Sequence, residues 1–360
     1  MKTHRSVLST LLALVIVSTC VTALGAQERQ AQHIFTPMAS QKASVSQTFG
    51  VTEVSIDYHR PAVNERTVWG QLVPYGQVWR TGANENTVIS FSTDVSVEGQ
   101  ALAAGTYGLH TIPGESEWTI IFSKKSEAWG SYTYDEAHDA LRVTVKPEAA
   151  PHGERMAFTF DDVSNEGVTV ALHWAELRVP VKVTADTHTL ALESFRTQLE
   201  GLAGFFWQGY NQAANYCLQN EINYEEALEW ADRSIQTQAT FSNLSTKAQL
   251  LVKTGKTDEV QALMDRAMPL GSAGDLYGYA QQLRGEGQAD RALEVAKLNV
   301  ERNPETWFAH LSLGQSYSAK GEFDKAKKAI EASHGIAPDN RKGMLEGLVA
   351  QLAKGEDING

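Results

Sequence analysis

The tetrad Gly-x-x-Asp returns three times in the C-terminal half, as Gly255-Lys-Thr-Asp258, Gly287-Gln-Ala-Asp290 and Gly321-Glu-Phe-Asp324, at intervals of 32 and 34 residues. Pro304 and Pro338 keep the 34-residue period, as do Ala292 and Ala326. A fixed period of this length constrains the fold strongly, because each unit must be one supersecondary element that buries its apolar face on its neighbours. Glycine suits the left-handed end of a first helix, proline stops a second, and small residues belong where paired helices approach closely. The helical period begins only past about residue 184; before it the residues alternate as strands.

The segment Trp307 to Asn340 carries Leu313-Gly314, Tyr317, Ala326 and Pro338 at spacings that resemble a tetratricopeptide repeat. Looser units beginning near Ala273, Phe241 and Trp207 keep Ala280, Ala248 and Ala214 in the same small slot. The pattern predicts three to four helix pairs over 205–360 and a capping helix from about Lys342. Such an array presents a concave surface to a peptide or another protein. The aromatics at helical spacing, Trp207, Tyr210, Tyr216, Tyr224, Trp230, Tyr277, Tyr279, Trp307 and Tyr317, read as core. Cys217 falls in a slot for a large buried residue and reads as an inert packed thiol. Asn243-Leu-Ser245 has the form of a glycosylation acceptor, yet sits at a helix start where Asn or Ser is expected as a cap.

Residues 45–184 read as an antiparallel β-sandwich or barrel-like domain. The runs 54–58, 88–91, 95–97, 118–122, 141–145, 156–160 and 168–172 are short, β-branched or aromatic, and separated by Gly, Pro, Asn and Asp. No helical pattern intervenes, which favours antiparallel pairing. Glu98-Gly99-Gln100 and Pro113-Gly114-Glu115 stand where hairpin turns are needed. A linker helix over 185–204 joins this domain to the repeats.

The first 26 residues read as a secretory signal: Lys2 and Arg5, then an apolar run, then Ala23, Gly25 and Ala26. From Val7 to Val21 an apolar helix would span roughly 22 Å, short of the roughly 30 Å hydrocarbon layer. An uncleaved anchor, or a lipid on Cys20, is the alternative. Residues 27–44 read as a flexible segment. Signal removal takes two positive charges, moving the net charge from −12 to −14. That balance disfavours nucleic acid and anionic membranes, whose binding rests on Lys and Arg. Only Cys217 then remains, so no intramolecular disulfide forms and stability must come from packed cores.

The strings VSIDYHRPAVNERTVWGQLVPYGQVWRTGANENT, ISFSTDVSVEGQALAAGTYGLHTIP and WTIIFSKKSEAWGSYTYDEAHDALRVTVKP resemble an uncharacterised bacterial family, domain of unknown function 2911. The resemblance covers most of residues 45–183. It implies export and a β-rich domain joined to helical repeats, and carries over no catalytic residue. His110, in GLHTIP, stands where an apolar residue is expected.

Between Tyr58 and Val88 nearly thirty residues lack a regular period. Connections that long inside a domain are either disordered or functional. Trp69, Leu72, Val73, Tyr75, Val78 and Trp79 are costly to leave in water, which predicts an ordered loop packed on the sandwich. With Trp79 inward, Arg80 lies near the surface beside Asn84, Glu85 and Asn86. A guanidinium suits carboxylates and asparagines suit sugar hydroxyls; equally, Arg80 could pair with Glu85 or Asp57 while Asn84 and Asn86 serve turns. Candidate ligand-binding residues are Arg60, Arg80, Asn84, Glu85, His110, Trp129 and Tyr132, the aromatics suiting sugar rings. Asp57 and His59 share a strand face, and with Glu85 and Arg80 would form the polar site of a hydrolase-like enzyme. No metal-ligand spacing, serine elbow, phosphate loop or dinucleotide fingerprint is present, so no metal or cofactor is assigned. The reading that follows is an exported, periplasmic or secreted non-catalytic adaptor. Its β domain binds a small ligand, saccharide or peptide, and its repeats bind a protein partner.

Overall fold

The computed structural model describes residues 37–359. The signal segment 1–26, Cys20 and residues 27–36 lie outside them. The chain forms two compact units that divide between Ala191 and Leu192.

Among the described residues, the first unit holds ten antiparallel strands in two sheets. The larger runs β1-β2-β3-β6-β7-β8, with β1 Gln41–Phe49, β2 Thr52–Arg60, β3 Thr87–Phe91, β6 Gly105–Ile112, β7 Trp118–Ser123 and β8 Asp139–Val145. The smaller runs β5-β4-β10-β9, with β4 Val95–Val97, β5 Gln100–Leu102, β9 Glu148–Asp161 and β10 Gly167–Thr184. Both sheets are open, so the fold is a sandwich rather than a closed barrel. Period-two alternation builds it: in β2, Val54, Ile56 and Tyr58 turn inward while Glu53 and Asp57 turn outward. One apolar cluster fills the space between the sheets. Glu98 and Gly99 both take positive φ, the geometry of a two-residue hairpin turn joining β4 and β5.

β1 starts at Gln41, inside the 27–44 segment expected to be flexible. It pairs along its full length with β2, from Gln41 opposite Arg60 to Phe49 opposite Thr52. As an edge strand it buries only Phe49, so its sequence QKASVSQTF shows no strong alternation.

The second unit follows α1 (Thr187–Glu200), the linker helix in which the two units divide. Four helix pairs come next: α2 Trp207–Asn220 with α3 Tyr224–Thr237, α4 Phe241–Lys253 with α5 Val260–Ala267, α6 Ala273–Gly285 with α7 Ala289–Arg302, and α8 Trp307–Ala319 with α9 Phe323–Ile336. α10, Asp339–Leu352, closes the array. Gly255, Gly287 and Gly321 take φ of +74°, +75° and +72° just after the first helix of their pairs. In each case the next residue's N–H reaches back to close the helix end, as from Glu322 to the Tyr317 carbonyl. Gly314 is glycine because a Cβ there would lie 2.5 Å from Ile330 Cδ1 on the paired helix. Ala214, Ala248 and Ala280 occupy the corresponding slots and are buried.

Cys217 is fully buried, and burial pushes its thiol up to about 11, so it is an inert packing group. Asn243 is not the helix cap. Thr240 takes that place, and the buried Asn243 side chain bonds to the Thr240 N–H, the Gln238 carbonyl and Ser234. Its amide nitrogen is committed inside the array, which removes it from glycosylation.

Candidate functional site

The long connection between β2 and β3 is ordered, and tryptophans hold it. Trp69 meets Trp79, Trp118 and Trp174 edge to face at centroid distances of 5.9, 4.8 and 5.6 Å, and Trp79 stacks on Trp174 at 5.8 Å. Val63, Val68 and Val73 join the same core. Leu72 and Tyr75, expected to be covered, are exposed. Backbone pairing fixes the rest: Trp79 exchanges both hydrogen bonds with Thr111 of β6, at 2.8 and 2.9 Å. The Trp79 indole N–H donates to the Gly82 carbonyl.

Past Trp79 the chain turns sharply at Thr81, whose φ is +53°. A β-branched residue in the left-handed region is strained. The strain is held by burial, by a 2.7 Å bond from Thr87 Oγ1 to the Thr81 carbonyl, and by the contact of Thr81 Oγ1 with Thr111 Oγ1. The turn fixes where Arg80 stands.

Arg80 pairs with neither Glu85 nor Asp57. Glu85 Oε2 lies 3.4 Å from His59 Nδ1. Asp57 accepts a bond from Ser44 and lies 3.9 Å from Lys42 on β1. The structure therefore joins His59 with Glu85 and draws Asp57 away, so the four-residue constellation Asp57, His59, Arg80, Glu85 does not converge. Arg60 donates from Nε to the Met156 carbonyl and ties β2 to β9. Asn84 takes a φ of +60° and donates to the Ser40 carbonyl, serving the turn and the N-terminal edge. Asn86 is buried and accepts from the Ala128 N–H while donating to the Ser126 carbonyl. It clamps the segment 126–128 over the outer face of the large sheet.

That segment continues as Trp129, Gly130, Ser131 and Tyr132. Glu85 forms an antiparallel bridge with Trp129. Beneath it His110 is only 2% exposed, its Nδ1 2.9 Å from Ser131 Oγ and its ring 5.3 Å from that of Tyr134. Burial lowers the His110 pKa to about 4, against the opposing pull of Asp139, so the imidazole is neutral near pH 7. Tyr134 donates to Asp139, which also holds Arg142. Burial, reinforced by that bond to Asp139, pushes the Tyr134 hydroxyl up to about 12. Ser131 and Arg142 escape sequence reasoning because they gather only through the covering segment.

The Arg80 guanidinium faces Gly130. A Cβ at Gly130 would lie 3.2 Å from Arg80 Nη1 and 3.1 Å from the Tyr132 ring. Arg80 Nε is shut off from solvent and has no hydrogen-bond partner. Trp129 and Tyr132 are 60% and 82% exposed, unlike the tryptophans of the core. Among the described residues, no group of three or more His, Cys, Asp or Glu side chains is arranged to hold a metal ion, and no helix is long and apolar enough to cross a membrane.

In the repeat unit, α4, α5 and α6 bound an open cleft of about 390 Å³ with Gln249, Val252, Met264, Tyr279, Gln282 and Glu286 among its lining residues. It mixes apolar side chains with amides and charges, as a surface for an extended peptide would.

Residues 40–183 match the DUF2911 family, described as proteins of unknown function. No curated protein matches the chain. Among solved structures, the chain is similar to YrrB, described as a TPR protein with an unusual peptide-binding site, at 21% identity and a TM-score of 0.31, over 44% of this chain and 83% of that one. It is similar to MamA at 15% identity and a TM-score of 0.32, over 43% and 84%. The C-terminal part of a TPR repeat-containing protein from Cytophaga hutchinsonii matches at 17% identity and a TM-score of 0.34, over 46% and 66%.

Proposed function

We propose that the chain is an exported, non-catalytic adaptor of the bacterial cell envelope whose helical repeats hold a protein partner and whose β unit binds a small ligand. The observation that carries the adaptor reading is the α4–α6 cleft, built on a stacked array with mixed apolar and polar lining. The charged, apolar and small-residue layout of residues 1–26 supports export. The β unit's outer face, with Arg80, the exposed Trp129 and Tyr132, and polar His110 and Ser131 beneath, supports a ligand site. A hydrolase built on Asp57, His59, Arg80 and Glu85 loses Asp57 to β1 and keeps only the His59 and Glu85 pair.

Selection of a displayed random-peptide library on the full chain tests the adaptor reading. The expected result is a family of related peptides whose binding falls at least tenfold on Tyr279→Ala combined with Gln282→Ala. No enriched family, or peptides indifferent to those changes, would count against it.

A further inference from the structure

A guanidinium with a buried Nε and no acceptor is an unusual thing for a folded protein to keep. Buried polar groups are normally paired, and a charged donor left without an acceptor is destabilising. Arg80 is in that position although two carboxylates stood within its sequence neighbourhood. Both are engaged elsewhere, Glu85 with His59 and Asp57 with Ser44 and Lys42. The turn that fixes Arg80 carries strained backbone at Thr81, held by the bond from Thr87 Oγ1 to the Thr81 carbonyl and by the contact of Thr81 Oγ1 with Thr111 Oγ1. Nε itself is sealed from solvent, so a ligand would answer the unpaired charge at the Nη end of the guanidinium, which the strained turn holds in place.

The surroundings narrow what that partner is. Guanidinium presents a planar fork that matches a carboxylate. At Gly130 the backbone packs closely on the guanidinium: a Cβ there would come within 3.2 Å of Nη1 and 3.1 Å of the Tyr132 ring, so Gly130 lets Arg80 and Tyr132 lie side by side. Gly130 also holds a φ of +67°, which a side chain would strain. On either side of it in the chain stand Trp129 and Tyr132, both exposed. Flat aromatic faces at a polar site stack against the C–H face of a sugar ring, and Ser131 Oγ, beside neutral His110, offers a hydroxyl to sugar oxygens.

We propose that Arg80, packed beside Gly130 and flanked by Trp129 and Tyr132, is the receptor for a carboxylate carried on a sugar ring, that is, a uronic acid. This rests on the reading of the β unit as a ligand-binding domain and names the ligand's chemistry. A free uronate and a uronate within a polysaccharide present the same carboxylate and ring to the site.

Calorimetric titration of the full chain with galacturonate, methyl galactoside and acetate separates the contributions of charge and ring. Galacturonate should bind at least tenfold more tightly than either comparison compound. Arg80→Gln should reduce it to the level of the galactoside, and Gly130→Ala should weaken it about tenfold. Tyr132→Ala, at a residue 82% exposed, cannot disturb the core and should still weaken galacturonate several-fold. Trigalacturonate binding more tightly than the monomer would assign a polysaccharide as the source, and equal binding the free acid. Unchanged galacturonate affinity in a folded Arg80→Gln chain overturns the assignment. Equal binding of galactoside and galacturonate, lost in Trp129→Ala, overturns the carboxylate and leaves the β unit a ligand-binding domain. Binding of none of the probes at millimolar concentration removes both.

Discussion

The two units hold themselves together by opposite strategies. The β unit closes one core with strands far apart in sequence: Val97 pairs with Val183, Ile89 with Tyr107, and Ala62 with Arg155. The repeat unit divides its apolar residues among four smaller clusters, each drawn largely from neighbouring helices. The first arrangement fails as a whole when its centre is removed, whereas the second approximates a sum of neighbouring contacts. The candidate sites follow the same division. A long-range sheet can bring polar groups from separate chain segments together, as His110 meets Ser131 and Tyr134, while a repeat array offers an extended cleft formed by regularly spaced residues.

Removing the centre of the β unit is the strongest way to sharpen this contrast. Trp118 is fully buried against Trp69, and Trp118→Ala should cost about 3–5 kcal/mol. Near-ultraviolet circular dichroism in a urea titration should show the tryptophan cluster lost early, with the helical far-ultraviolet signal largely kept. Loss of both signals together would break the distinction between the units.

Acid should act on the β unit next most strongly. His110 is neutral in the fold with its pKa lowered to about 4, while the unfolded chain takes up the proton near pH 6.5. The unfolded state thus binds more protons in that window, so stability is present above about pH 6.5 and falls as pH drops toward 4. The loss attributable to His110 is roughly 1–3 kcal/mol. Thermal unfolding of the chain and of His110→Gln, compared at pH 7 and 4.5, should show a smaller acid loss in the variant. An equal loss would remove His110 as the source.

The smallest effect is expected in the repeats. Gly321 has φ +72° and open space where a Cβ would go, so Gly321→Ala is opposed by backbone conformation alone. A cost of about 1 kcal/mol follows, read as a lower urea midpoint of the helical signal with the β unit unchanged.

Local chemistry explains what could be read from the chain. Helices begin at Trp207, Phe241, Ala273 and Trp307, where the repeat pattern puts them, because small contact slots are encoded within each unit and glycine ends within the last three. The 32-residue interval also has a local cause: α5 is only eight residues long, followed by a 3-10 turn containing Pro269. Strands with one buried face were equally visible, but β1, with a single buried side chain at the sheet edge, was not. Trp79 announced itself as an anchor through its apolar bulk. The partners of the polar residues did not, since Asp57 and His59 share a face while the covering segments sort them to Lys42 and to Glu85. Gly130 beside Arg80 could not be anticipated, because the contact depends on the pairing of Glu85 with Trp129 across the fold.

In the proposed function, partner binding belongs to the α4–α6 cleft and ligand binding to the Arg80 face. Calorimetric titration of a library-selected peptide into the full chain, its Tyr279→Ala, Gln282→Ala variant and its Arg80→Gln variant tests it most directly. Affinity should fall at least tenfold in the cleft variant and not at all in Arg80→Gln. Full affinity in the folded cleft variant, or loss in Arg80→Gln, would contradict it.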